Sequence, residues 1–159
     1  MRKVAGVALA LAVALCMFGC QSTTTVYDDW FTYEAPTSWG EKVEIGEGSY
    51  AYEPPETHPW VLVNSYNSGL SKSKSSEEIF KSFFKNPDDY AKAEHFTIDE
   101  EPAIRGLVTA PEEDITQYFV IFRTKQSEYY AISAIIENEN DTKSINEMKA
   151  LSDSIRLTD

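Results

Sequence analysis

The chain has 159 residues, of which 42% are hydrophobic and 13% aromatic, and its formal net charge is −12. This length and apolar content suit one domain with a proper core and exclude a wholly disordered chain. The acid excess repels phosphate backbones, so we expect no nucleic-acid partner.

The amino terminus has the layout of a bacterial secretory signal. Arg2 and Lys3 form a positive segment, and the apolar run Val4–Phe18 follows it. Because this run is shorter than the roughly 20 residues that a membrane-spanning helix needs, a permanent transmembrane anchor is the weaker interpretation. We therefore expect residues 1–19 to be a cleaved signal peptide.

The end of this signal resembles the lipobox of bacterial lipoproteins. The matching residues are Met17-Phe18-Gly19-Cys20. The resemblance implies a lipid (palmitate-type) anchor on Cys20 that holds the protein on the cell membrane, facing outside the cytoplasm. The alternative is cleavage by ordinary signal peptidase after Ala12-Val13-Ala14, which would start the mature chain at Leu15.

Cleavage before Cys20 changes the composition of the mature chain. Without Arg2 and Lys3, the remaining 140 residues carry a net charge of −14. Cys16 leaves with the signal, so no disulfide, thiolate metal site or cysteine nucleophile is expected, and we expect no cofactor and no metal. Residues 20–26 are predicted to be the lipidated cysteine with a flexible tether, and residues 27–159 a single globular domain.

The first half of the domain is rich in aromatic and β-branched residues, which favour strands. The prolines between Glu53 and Pro59 lack backbone donors, so this stretch is predicted to be an exposed loop. The predicted strands are Val26–Tyr33, Lys42–Ile45, Ser49–Glu53 and Trp60–Tyr66.

A helix is predicted after the serine- and lysine-rich segment 67–75. Ser75 and Glu78 have the spacing of a capping box, in which each side chain bonds a free backbone N–H group. Ile79, Phe80, Phe83 and Phe84 share one face at helical spacing. The pair Asn86-Pro87 is expected to end this helix.

The second half predicts more strands and a last helix, with strands at Glu94–Asp99, Ala103–Ala110, Ile115–Lys125 and Tyr129–Glu137. The last two are apolar on both alternating sets of residues, so both of their faces should be covered. Asp141 or Thr142 should cap a helix that presents Ile145, Met148, Leu151 and Ile155 on one side. The prediction is an α+β fold: a mostly antiparallel sheet of six to seven strands with helices packed on both faces.

Four segments resemble the PsbP-like α/β/α sandwich of bacterial lipoproteins. They are Trp30–Trp39, Phe96–Val108, Ile115–Ile136 and a final short helix. The resemblance implies adaptor or accessory roles more than catalysis, and it supplies no catalytic motif.

Local motifs give little support for catalysis. Ser71 and Ser82 both begin S-x-x-K, but the partner motifs of the penicillin-binding enzymes are absent. The motif G-x-G-x-x-A at Gly46 precedes prolines instead of a helix, which favours a turn between strands. His58 and His95 have no second histidine at ligand spacing. The acidic run 137–141 leaves weak calcium binding open.

Aromatic residues flank the proline-rich loop and form the candidate binding patch: Tyr50, Tyr52, His58, Trp60 and Tyr66. Tyrosine and tryptophan are favoured at recognition surfaces. The sequence thus predicts a lipid-anchored, non-enzymatic domain that binds a protein or cell-envelope component. Two alternatives remain: a small carboxylate-dependent hydrolase and a structural accessory lipoprotein.

Overall fold

The computed structural model describes residues 22–52, 59–66, 74–84, 86–110 and 115–159. They form an α+β fold with two antiparallel sheets and three α-helices. No helix in these residues is long and apolar enough to cross a bilayer. The predicted signal peptide, Cys20 and the proline-rich loop with His58 lie outside the described residues.

The small sheet has three strands in the order β1-β2-β10, which are β1 Thr23–Tyr27, β2 Phe31–Pro36 and β10 Arg156–Leu157. The single strand predicted at Val26–Tyr33 is therefore wrong, because the chain turns at Asp28 and pairs Tyr27 with Thr32. The tether predicted through residue 26 is also too long. Threonine is a good strand former, and Thr23, Thr24 and Thr25 pair with β2.

The large sheet has seven strands in the order β3-β4-β5-β9-β8-β7-β6. Their bounds are β3 Lys42–Gly46, β4 Ser49–Tyr52, β5 Trp60–Tyr66, β6 Glu94–Ile98, β7 Glu101–Ala110, β8 Ile115–Arg123 and β9 Tyr129–Ile136. These match the predicted strands closely. The glycines near Gly46 lie in the β3–β4 hairpin, as the turn interpretation of that motif predicts.

The three helices are α1 Ser76–Phe83, α2 Pro87–Lys92 and α3 Thr142–Ser154. The predicted capping box is confirmed, since Ser75 accepts from the Glu78 backbone and Glu78 accepts from the Ser75 backbone. The Asp141 cap is confirmed by its bond from the Ser144 backbone N–H. Helix α2 is not predicted from the sequence, because Asn86-Pro87 is expected to end the preceding helix. In the structure α1 ends at Phe83, and Asn86 caps α2 with proline in its first turn.

Two groups of buried residues share the large sheet. The major core joins β2, Trp39, alternate residues of β8 and β9, and the α3 residues Met148, Leu151 and Ile155. The minor core joins Ile79 and Phe80 of α1 to strand residues that lie between these alternate positions, such as Ile121 and Ala131. Val120 belongs to the major core and its neighbour Ile121 to the minor core. Since adjacent strand residues point to opposite faces, the two cores lie on opposite faces of the sheet.

The β6–β7 turn adopts a strained backbone. Asp99 and Glu100 have φ angles of 47° and 74°, although Ile98 pairs directly with Glu101. Two positive φ values in a two-residue hairpin loop define a type I′ turn, for which Asp-Gly is a preferred pair. The Asp99 carboxylate also accepts from the Leu157 backbone N–H at 2.8 Å, which fixes β10 to this turn.

Replacing Glu100 by glycine should raise the free energy of unfolding by about 0.5–1 kcal/mol. Glycine relieves roughly 1–2 kcal/mol of left-handed strain and loses part of that gain to the greater freedom of the unfolded chain. Urea-induced unfolding measures the change. Glu100→Gln removes the same charge but keeps the strain, so an equal gain in that variant would contradict this explanation.

Candidate functional site

The predicted aromatic patch is divided between the two faces of the large sheet. Tyr50 pairs with Val63 and so shares the face of the major core, where it is partly buried. Trp60 is 43% exposed. Val61 is buried in the major core, so Trp60, its neighbour on the strand, points to the opposite face. A single ligand surface therefore cannot include both Tyr50 and Trp60.

Tyr52 is a core residue. Only 4% of its surface is exposed, and its hydroxyl shares a 2.7 Å hydrogen bond with that of Tyr33. The Trp39 ring contacts Tyr52 edge-on at 5.4 Å. Burial raises the pKa of both hydroxyls, so they stay protonated and paired. Tyr52 is thus removed from the candidate patch, because alternation along β4 turns it inward with Tyr50.

The other patch residues are less fully described. Tyr66 lies opposite Tyr129 in the β5–β9 ladder, and its side chain is outside the described part. His58 and the lipidation candidate Cys20 are also outside the described residues.

Tyr50 belongs to a cluster that fixes the β1–β2 turn to the sheet. The Lys42 ammonium lies 4.2 Å from the centre of the Tyr50 ring and forms an ion pair with Asp28. The side chains of Lys42 and Asp28 are only 17% and 7% exposed. This cluster therefore connects elements of the domain, and its charges are already neutralised internally.

A concave site lies between α1, α2 and the edge of the large sheet, on the side of the minor core. We call it the α1–β6 cleft. Its volume is about 380 Å³, and its lining residues are Ser76, Glu77, Phe80, Tyr90, His95 and Pro102. Aromatic rings with a few polar groups are typical of ligand sites.

The cleft is built by local signals that place its two helices. The capping box starts α1 just before Ser76 and Glu77. The Ser76 hydroxyl bonds the Tyr129 hydroxyl at 2.7 Å, which holds this end of α1 on β9. Behind α2, a Cβ atom on Gly106 would lie 3.0 Å from the Cβ of Ala93. Glycine therefore permits the close approach of the α2 end to β7.

Ring contacts shape the interior of the cleft. Tyr90 meets His95 edge-on, with ring centres 5.4 Å apart. Phe80 is buried and contacts the Tyr129 ring at 6.0 Å. Pro102 pairs with Thr97 across the β6–β7 ladder and completes the apolar wall. These contacts hold the rings in place without a ligand.

One carboxylate and one ammonium lie at the rim of the cleft. Glu77 Oε1 accepts from Lys81 Nζ at 2.6 Å, and this bond lowers the pKa of Glu77 and raises that of Lys81. The same ammonium lies 5.5 Å from the centre of the Tyr90 ring. The rim therefore presents a carboxylate paired with an ammonium group, beside an aromatic face.

A second concavity, of about 280 Å³, lies between the β6–β7 turn and the end of α3. Beside it, the Arg105 guanidinium donates to both oxygens of Glu94, to Ser152 and to Asp153. Its side chain is 11% exposed, and the two carboxylates raise its pKa. These ion pairs and hydrogen bonds hold α3 against β6 and β7. The charged groups beside this concavity therefore have a structural role.

The carboxyl groups whose pKa is shifted do not have the properties of a general acid, because a general acid needs a raised pKa. The pKa is lowered in Glu77, Glu78, Glu94 and Asp159, in each case first by a hydrogen bond to a cation or a capping group. Among the described ranges, no group of three His, Cys, Asp or Glu residues is placed to hold a metal ion. Ser82, from one S-x-x-K match, donates to the Ile79 carbonyl within α1.

His95 is recognised in the sequence only as a histidine without ligand spacing, and the cleft around it is not predicted. Phe80 was assigned to a core-facing helix surface, and Tyr90 had no assigned element because α2 was missed. Asn86 followed by proline was the available signal for this helix. Nothing local indicates that Pro102 faces the same space.

No family model matches this sequence, and no curated protein matches it. Among solved structures, the fold is similar to the solution structure of cyanobacterial PsbP (CyanoP) from Synechocystis sp. PCC 6803. The TM-score is 0.61 at 10% sequence identity, covering 89% of this chain and 95% of that chain. The chain therefore has a PsbP-like fold, as the sequence resemblance implies.

Proposed function

We propose that this PsbP-like domain is a lipid-anchored, extracytoplasmic and non-enzymatic binding domain that contacts a protein or cell-envelope partner through the α1–β6 cleft. The observation that carries the proposal is the cleft itself, where three rings and one carboxylate converge. A structural accessory role without a ligand would leave this preformed site unused.

The start of the fold supports a short connection to the membrane. The Ser22 carbonyl accepts from the Thr37 backbone N–H at 2.9 Å, and their hydroxyls bond at 2.6 Å. Two residues span at most about 7 Å from Cys20 to Ser22. A lipid on Cys20 would therefore hold this end of the domain against the membrane surface.

Contacts along the domain indicate that the cleft lies at the opposite end. The β1–β2 hairpin leads away from Ser22 to Trp30, whose carbonyl accepts from the Thr158 backbone N–H at 2.9 Å. Asp159 then forms an ion pair with Lys125 in the β8–β9 turn, at 2.7 Å. Tyr129 follows this turn and carries the bond to Ser76 of the cleft. The cleft would thus face away from the membrane, where a partner has access.

The proposal includes helices packed on both faces of the large sheet. The division of α1 and α3 between the two cores supports this arrangement. One helical layer would then form the cleft, while the other layer, with the small sheet, would close the major core.

The anchor is tested by mass spectrometry of the mature amino terminus and by fractionation of cells. We expect a lipid-modified Cys20 in the membrane fraction, and release of Cys20→Ser to the aqueous fraction. An unmodified chain that starts at Leu15 would refute the lipid anchor, because the mature protein would then carry no acylated cysteine.

The cleft is tested by photo-crosslinking in cells. A photoreactive side chain in place of Lys81, at the rim of the cleft, should give adducts of defined mass, whereas the same group in place of Lys149 on α3 should not. His95→Trp should abolish the adducts from position 81, because the larger ring fills the cleft. Equal adducts from both positions, or adducts that survive His95→Trp, would remove the cleft as the contact site.

A further inference from the structure

The rim of the α1–β6 cleft already binds an ammonium group. Lys81 places its Nζ atom 2.6 Å from Glu77 Oε1 and 5.5 Å from the centre of the Tyr90 ring. A carboxylate beside an aromatic face is the arrangement that attracts cations in protein sites. Lys81 and Glu77 are 53% and 65% exposed, so solvent and solutes reach both groups, and the pair can exchange partners.

Below this rim the cleft is apolar. Phe80 and Pro102 line its interior, and the rings of Tyr90 and His95 stand edge to face beside them. A chain of methylene groups fits between such rings while its charged end stays at the rim. The volume of about 380 Å³ exceeds what one extended aliphatic side chain needs.

The charge around the cleft favours a basic ligand. The described residues of α1 and α2 contain four acids and two lysines. The acids are Glu77, Glu78, Asp88 and Asp89. Without residues 1–19, the chain carries a net charge of −14. This field attracts cationic partners over a distance and repels acidic ones.

We infer that the cleft binds a lysine side chain of a basic polypeptide partner. The partner's ammonium replaces Lys81 at Glu77, and its methylene groups pack between Tyr90, Phe80 and Pro102. A lipid head group is the less suitable source of the cation, because the cleft lies at the end remote from Ser22. This inference rests on the proposed function and gives its partner a chemical class.

The test is a titration of the full mature chain, in detergent, with a blocked Gly-Gly-Lys-Gly-Gly peptide, followed by NMR of the backbone amides. We expect saturable shifts at Glu77, Tyr90 and His95, and none with the peptide that carries Nε-acetyl-lysine. Glu77→Gln should weaken binding about three- to fivefold, the size of one exposed ion pair with a cation–π contact.

The Lys81 ammonium would compete with the ligand for Glu77, so replacing Lys81 tests the inference more directly. Lys81→Met should strengthen peptide binding about three- to fivefold, because the ammonium that occupies the site is gone. Lys149→Met makes the same change in net charge on an exposed position of α3, so it should leave the affinity unchanged. Equal strengthening in both variants would show that only net charge matters and would overturn the inference.

The remaining outcomes also separate the two proposals. Binding of the acetylated peptide, or shifts spread over the acidic loop 137–141, would overturn the lysine site. If crosslinks form at position 81 but the lysine peptide does not bind, the cleft is a contact site for a different chemistry. If the peptide binds but no crosslinks form, the lysine site stands and the cellular role of the cleft fails.

Discussion

Replacement of Phe31 by alanine should lower the free energy of unfolding by about 3–5 kcal/mol. Phe31 has no exposed surface. Its ring contacts Phe122 and Tyr130 of the large sheet at 4.9 Å and stacks on Tyr33 at 5.8 Å. The substitution removes the contacts of this ring with the large sheet and leaves a cavity that the surrounding core closes only in part.

Urea-induced unfolding followed by circular dichroism measures this loss. Tyr27→Ala is the matched control, since it truncates an aromatic residue of the same hairpin that is 78% exposed. Its effect should stay within about 0.5 kcal/mol. A similar small loss in both variants would mean that the hairpin does not pack on the large sheet, contrary to the fold described above.

The domain should also lose at least about 4 kcal/mol of stability between pH 9 and pH 11. Burial raises the pKa of Tyr118 to about 12, and it raises the pKa of Tyr33, Tyr52 and Tyr130 as well. Above pH 10 the unfolded chain releases these protons while the folded chain keeps them. Each of these phenols then lowers the free energy of unfolding by about 1.4 kcal/mol per pH unit.

The direction of this effect follows from proton linkage. A raised pKa in the folded state adds no instability below pH 10, and the stability falls as the pH rises from there toward the folded pKa. Urea-induced unfolding at several pH values measures the slope. Tyr118→Phe should reduce the loss by about 1.4 kcal/mol per pH unit above pH 10, because one of these phenols is removed. A constant stability up to pH 11 would contradict the burial of these hydroxyls.

The features predicted correctly from sequence are those that neighbouring residues control. The Ser75–Glu78 capping box, the Asp141 cap and the apolar face of α3 all depend on residues within four positions of each other. Strands β8 and β9 are predicted because both alternating sets of their residues are apolar. This pattern is typical of a strand that is covered on both faces. These signals are strong because the energy that they report is local.

The wrong predictions share a different physical origin. The run Val26–Tyr33 is rich in strand formers on both sides of Asp28 and Asp29, and a single strand prediction across it overlooks the turn that these two aspartates favour. Asn86-Pro87 ends one helix and begins another with the same residues. The aromatic patch was grouped by nearness in sequence, whereas the pleat places Tyr50 and Trp60 on opposite faces.

By itself, the sequence determined the caps of α1 and α3, the strand periods, the acidic charge and the signal-like amino terminus. The tertiary structure alone decided that His95 meets Tyr90, that Pro102 joins them and that Tyr52 is buried. These contacts depend on antiparallel pairing of β6 with β7 and on the packing of α1 and α2 over the sheet. Such pairings join residues that are distant in the chain, and no local propensity encodes which faces will meet.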